Sequence, residues 1–269
     1  MPVWKWALLL LAGFVLSFLM YGVAQAIQDA VNAGWVKWIV AIALSAGMTG
    51  LYALFVKWFE KHPAHDLALS RLGAETLKGL GIGVGFFIVL VLAMYVSGIY
   101  HFDGWNSGNA LEIISAFFMF LTVGVGEEII FRGVLFRWVD EKWGYAIALI
   151  VSSLIFGLLH IFQPGATWWS SVAIAIEAGL LLGAAYKFSG SLWLPIGIHW
   201  AWNFTQGNIF GFAVSGGDAG VSLIRSHVTG PDILTGGAFG AEASILAPVF
   251  GLALAIWFIA RTAKKQASA

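Results

Sequence analysis

Residues 111–139 read LEIISAFFMFLTVGVGEEIIFRGVLFRWV: no charge interrupts the run between Glu112 and Glu127, and then two carboxylates and a guanidinium fall inside the same apolar stretch. About 20 apolar residues in helical conformation, at roughly 1.5 Å rise each, cross the hydrocarbon core of a bilayer. The stretch therefore reads as a membrane span with charges in its interior. Comparable runs lie at Trp6 to Ile27, Trp35 to Phe59, Leu77 to Ile99, Trp143 to Phe162, Trp168 to Phe188, Leu192 to Phe212 and Ser244 to Ile259. Strict alternation of apolar and polar residues, the mark of a membrane β-barrel, is absent. The fold class expected is all-α: a polytopic membrane bundle of about eight transmembrane helices, with residues 1–269 forming one membrane domain. Composition agrees, since 60% of the 269 residues are hydrophobic and only 10% charged, too little polar surface to coat a soluble globule.

The formal net charge is zero and the basic residues sit at helix ends, so no nucleic-acid partner is implied. Cysteine is absent, which removes disulfides, thiolate metal sites and cysteine nucleophiles. Any nucleophile must be water, Ser, Thr or a carboxylate. Laid across a membrane, the helices gather Lys5, Lys57, Lys61, Arg71, Lys78, Arg137, Lys142, Lys187, Arg261, Lys264 and Lys265 on one side. Lys37 and Arg225 fall on the other, and Arg132 lies within a span. The bias predicts cytoplasmic termini. Trp4, Trp6, Trp35, Trp38, Trp58, Trp143, Trp168 and Trp169 mark span ends, where indole rings favour the headgroup layer. Lys5 and the Ala24-Gln25-Ala26 stretch give the first run a signal-peptide flavour, but it exceeds the roughly 7 to 15 residues of a usual signal core. Between Gly211 and Ala243 no run is long enough to cross, so residues 213–243 are expected to form a Gly-rich outer loop, either capping a site or merely connecting two helices.

A charge at mid-membrane costs roughly 3 kcal/mol even on the lenient insertion scale, so each needs a partner, a cavity or a task. Glu128 and Arg132 are four apart and stack on one helical face as an ion pair, leaving Glu127 for other work. A purely structural Glu-Glu-Arg tie between helices fits the same spacing. His199 and Asn203, also four apart, share a face; an imidazole N–H and a carboxamide N–H can hold an oxyanion, or can serve as hydrogen-bonding glue between helices. His160 either pairs with Glu127 to activate water or packs as a bonded core histidine. Glu177 lies beside Gly179 and Gly183, a small-residue face suited to close helix packing, and is expected to be structural.

Three strings in order on separate spans, Glu127-Glu128-x-x-x-Arg132, Phe156-x-x-x-His160 and His199-x-x-x-Asn203, resemble the motifs of the CPBP family of intramembrane proteases, which includes the CAAX prenyl endopeptidases. Ser189-Gly190-Ser191-Leu192-Trp193-Leu194-Pro195, just before His199, is similar to bacterial members. The resemblance covers residues 111–212, the expected catalytic core. It implies hydrolysis of a peptide bond in or near the membrane, with Glu127 and His160 activating water, His199 and Asn203 supporting the oxyanion, and Glu128 and Arg132 positioning the group. Family members are commonly called metalloproteases. Glu127, His160 and His199 can be counted as three ligands for a divalent metal such as zinc, with water in the fourth place, or as a metal-free water-activating set. No His-Glu-x-x-His chelate is present to decide between them. Ser97, Ser189 and Ser215 lack the leading Gly of a rhomboid-like Gly-x-Ser-Gly, and Gly216-Gly217-Asp218 lacks the presenilin pattern and falls in the outer loop.

The same buried groups would also serve a transporter, though no inverted repeat is detectable, or a non-catalytic binding or immunity protein. The partners expected are membrane lipids and a peptide or membrane-protein substrate. The expected location is a bacterial inner membrane. Substrate identity, lipidation of the substrate and oligomeric state are not written in the motifs.

Overall fold

In a bilayer every backbone N–H and C=O must bond within the protein, and that requirement turns each apolar run into a helix. The computed structural model describes residues 3–32, 34–106 and 110–268. Among these, seven helical stretches are long and apolar enough to cross a membrane. They comprise α1 (Val3–Ala30), α2 (Gly34–Phe55, carried on by a wide turn at Val56–Glu60), α3 (Leu69–Val96), and α4 (Ala110–Glu128) running through a π-helical stretch, Ile129–Phe136, into α5 (Arg137–Trp143). Next come α6 (Tyr145–Leu159), then α7 (Trp168–Ile174) joined through a second π-helical stretch, Ala175–Leu180, to α8 (Leu181–Ser189). The eighth expected span is α9 (Trp193–Phe204), extended by wide turns at Thr205–Ile209; it is short but buried along most of its length. After four short elements in the outer loop, the last long helix runs from Leu246 to Ala267.

The expected all-α bundle of about eight helices is what the chain forms, with one addition. Strands β1 (Tyr100–Trp105) and β2 (Ile224–Val228) pair antiparallel, Tyr100 opposite Val228 and His101 opposite His227, with a bulge between Phe102 and Gly104. The pair ties the α3–α4 connection to the outer loop at one end of the bundle.

Backbones approach one another where side chains vanish, because in lipid helix association depends on close packing. A Cβ on Gly79 would stand 2.4 Å from the Leu194 carbonyl oxygen, and one on Gly83 would stand 2.5 Å from that of Ile198. Gly197 meets the backbone of Thr76 and Gly79 in return. These contacts seat α9 against α3 and so fix the depth of His199 and Asn203. Gly157 of α6 likewise lies against the backbone of Ser171. The expected small-residue face is also real: Gly179 abuts Ser153, and Gly183 abuts Leu149 and Phe136.

Large apolar side chains such as Leu8, Leu11, Leu19 and Val23 of α1, and Ile88, Val89 and Leu92 of α3, face outward, as a lipid-exposed surface requires. The chain is a multi-pass membrane protein. At the end opposite the strands, Arg137 grips both oxygens of Glu60 at 2.5 and 2.6 Å, and Tyr52 donates to Asp66 at 2.7 Å. That clasp anchors α2 against the α4–α5 helix.

Residues 213–243 form an ordered structure folded onto the bundle end. The amide of Gly216 donates to Phe239 O at 2.8 Å, that of Ile245 to Ile233 O at 2.8 Å, and Trp169 Nε1 to Ala243 O at 2.7 Å.

Candidate active site

The helix α4 delivers Glu127 and Glu128 where it gives way to the π-helical stretch that carries Arg132. Wide turns of this kind recur at functional sites, because the extra residue re-aims side chains. Glu128 and Arg132 are both 0% exposed, and the pair expected from their spacing is present: Arg132 Nη1 donates to Glu128 Oε1 at 2.9 Å. Arg132 Nη2 reaches the carbonyls of Ala178 and Gly179 at 3.1 and 3.2 Å, and the guanidinium lies 4.9 Å from the Phe156 ring centre. A buried charge pair is tolerable only when further hydrogen bonds satisfy it, and here a second helix supplies them.

His199 completes the buried group. Its Nδ1 donates to Glu128 Oε1 at 2.8 Å, which leaves Nε2 facing Glu127, 3.8 Å from Oε2. A carboxylate on one imidazole nitrogen fixes ring and tautomer and presents the other nitrogen. His199 shares a cavity face with Asn203, as their spacing predicts, and its nearest polar neighbours are the two glutamates, with Arg132 tied to the same carboxylate.

Glu127 is the accessible carboxylate of the two, with its side chain 18% exposed. It receives a hydrogen bond from Tyr21 of α1 at 3.3 Å. Together with His160, Phe18, Phe131, Phe162 and Gln163 it lines a cavity of about 270 Å³. His160 is held by a 2.7 Å bond between Nδ1 and the Phe156 carbonyl; since a carbonyl only accepts, Nδ1 carries the proton and Nε2 is free. Glu127 and His160 thus share a cavity wall without bonding each other directly.

A second, much smaller cavity of about 20 Å³ is bounded by His160, His199, Asn203, Trp202, Ser215 and Glu242. Asn203 is buried there and makes no side-chain hydrogen bond among the described residues. Ser215 and Glu242 come from the outer loop. Glu177 is not part of either cavity; it is fully buried against Gly251, and neither of its carboxyl oxygens has a partner among the described residues.

The ligand set implied for zinc was tested against this geometry. Glu127 and His199 stand close, but among the described residues no group of three or more His, Asp or Glu is arranged to hold a metal ion. The side chains as they stand do not fit a three-ligand zinc site.

Three contributors escaped the sequence reading. Tyr21 lies in a span with no motif. Ser215 and Glu242 lie in a loop with no long apolar run; the one signal was a carboxylate set among alanines, Ala241-Glu242-Ala243, just ahead of an apolar helix.

Fold and site together define a polytopic helical membrane protein with a carboxylate–imidazole–guanidinium centre inside the bundle. Residues 109–205 match the family described as type II CAAX prenyl endopeptidase, Rce1-like. Over 155 residues the chain is 30% identical to the protein of Bacillus subtilis (strain 168) named "Putative membrane peptidase YdiL". That alignment takes in 49% of this chain, and spans 61% of the relative's length. The motif-bearing part of the chain is thus similar to CAAX-type membrane peptidases, in line with the resemblance carried by its motifs. All seven motif residues fall inside the matched segment, and Tyr21, Ser215 and Glu242 fall outside it.

Proposed function

We propose that the protein is an intramembrane endopeptidase that hydrolyses a peptide bond in or near the membrane with water activated by Glu127. The observation that carries this reading is the division of labour between the two adjacent carboxylates. Glu128 is neutralised by Arg132 and spent on orienting His199, whereas Glu127 opens onto the 270 Å³ cavity that it shares with His160. A structural tie would bury both.

In this mechanism a water molecule in the larger cavity gives a proton to Glu127 as it attacks the carbonyl carbon, with His160 Nε2 available to orient it. The oxyanion that develops is met by His199 Nε2–H, in the doubly protonated ring, and by the Asn203 carboxamide. Donors fixed before the reaction need no reorganisation at the moment charge develops, and the buried Glu128–Arg132 pair supplies that fixity. Phe18, Phe131 and Phe162 give the cavity an apolar wall suited to a peptide segment arriving from the lipid.

The substrate class is a membrane peptide or a membrane-protein tail. The location is a bacterial inner membrane with both termini cytoplasmic, and reporter fusions at the C-terminus test that orientation.

The deciding experiment compares purified wild type with Glu127→Ala in detergent, at matched thermal stability, on a membrane-peptide library read by mass spectrometry. Cleavage by wild type alone supports the reading, and a chelator arm then separates metal-dependent from metal-free chemistry. Identical products from both variants would assign the cleavage to a contaminant or another site. No cleavage by either, with loss of a bound partner in Glu127→Ala, would move a non-catalytic binding role ahead.

A further inference from the structure

The outer loop is built to insert one carboxyl into the bundle. Glu242 is 1% exposed, and its side chain accepts a hydrogen bond from the Ser215 amide, at a residue with φ of 48°. Gly240 has φ of 115°, and a Cβ there would collide with the Ala213 carbonyl and the Gln206 amide. Gln206 Nε2 bonds Ala213 O at 2.6 Å, locking that crossing. Among the described residues no Lys or Arg side chain lines the cavity that the inserted carboxyl faces. The titratable groups around it are Glu177 on the Ala175–Leu180 stretch and, across the small cavity, His160 and His199.

That cavity, at about 20 Å³, has room for one water, and His160, His199, Asn203, Ser215 and Glu242 line it with the polar groups a buried water needs. His160 lines both chambers, in company with Glu127 in the larger and with Glu242 in the smaller.

We propose that Glu242 is a proton-relay residue of this site, delivering through one buried water the proton that the departing amine takes. The inference rests on the hydrolytic reading above. The balance is complete: attacking water leaves a proton on Glu127 and adds hydroxide to the carbonyl carbon. The C–N bond breaks as the nitrogen takes a proton from the buried water, which is replenished by the Glu242 carboxyl. The proton on Glu127 returns through water to Glu242. One water is consumed, and a carboxyl and an amine are released. Burial, opposed by the hydrogen bonds of Ser215 and Gln206, pushes the Glu242 carboxyl up to about 7, so it both holds and releases a proton at neutrality.

The test uses a quenched-fluorescent version of the library peptide that wild type cuts fastest, with kcat and KM measured from pH 5 to 9. Glu242→Gln is expected to lower kcat about tenfold or more, within the range general-acid groups contribute, with KM within about twofold of wild type. It should also erase an ionisation near neutrality from the kcat profile. Glu242→Asp should retain that ionisation, displaced, and recover part of kcat. It also supplies the readout should Glu242→Gln fail to fold. An unchanged kcat and profile in these variants, or a change confined to KM, would overturn the relay while cleavage lost in Glu127→Gln left the hydrolytic reading intact. Equal cleavage by wild type and Glu127→Gln would overturn both.

Discussion

Replacing Arg132 by Met keeps most of the volume and removes the charge, which makes it the sharpest probe of what holds the site together. In the native protein the guanidinium and Glu128 are both 0% exposed, 2.9 Å apart, and Arg132 also serves two carbonyls on the Ala175–Leu180 stretch. Breaking a buried pair by removing one partner costs about 3–5 kcal/mol, because the remaining charge is left uncompensated. Glu128 would keep His199 as its only charged-capable neighbour, so a loss of about 4 kcal/mol is expected. The double variant Glu128→Gln/Arg132→Met buries no charge at either position and should lose about 2 kcal/mol less than the sum of the single variants, an interaction energy typical of contacting groups. Equilibrium unfolding in mixed micelles, followed by the fluorescence of the 14 tryptophans, measures both. An Arg132→Met protein within about 1 kcal/mol of wild type, or strict additivity of the two substitutions, would refute the argument that this pair sets His199.

Other consequences follow from single contacts. The Glu242 carboxyl stands at about 7 against an ordinary 4.5, so the folded protein binds its proton more tightly than the unfolded chain. Its contribution is present in full below pH 4.5 and is lost as pH rises through about 7; at 1.36 kcal/mol per pH unit it amounts to about 3 kcal/mol. Thermal stability of wild type should therefore fall between pH 5 and 8, and Glu242→Gln should flatten that slope in a melting series. Tyr21→Phe removes only the hydroxyl that bonds Glu127; a hydrogen bond to a charged group is worth about 1.5–3 kcal/mol, so the melting temperature should fall by a few degrees and cleavage should slow about tenfold or more. A Cβ at Gly79 meets a backbone carbonyl at 2.4 Å, so Gly79→Ala should cost about 2 kcal/mol and reduce cleavage by shifting α9. Gly81→Ala, with nothing within 4 Å, is the matched control and should be neutral or slightly stabilising in the same unfolding assay.

Spans, helical class and the Glu128–Arg132 pair were legible in the sequence because each depends on interactions within one run or one turn of helix. An apolar stretch in lipid has a single way to satisfy its backbone, and residues four apart on a helix meet whatever the rest of the chain does. Which imidazole meets which carboxylate was not legible. His199, and not His160, approaches both glutamates, and that choice depends on how deeply α9 slides along α3, which is set by backbone contact at Gly79, Gly83 and Gly197. His160 bonds its own helix at Phe156 and meets Glu127 only across a cavity. Tyr21 and Glu242 enter from segments far along the chain that carry no motif, the first by the packing of α1 on Gly126, the second by left-handed turns that fold the outer loop inward. Local periodicity determined the helices and the paired charges; only the close approach of distant backbones decided the membership and geometry of the site.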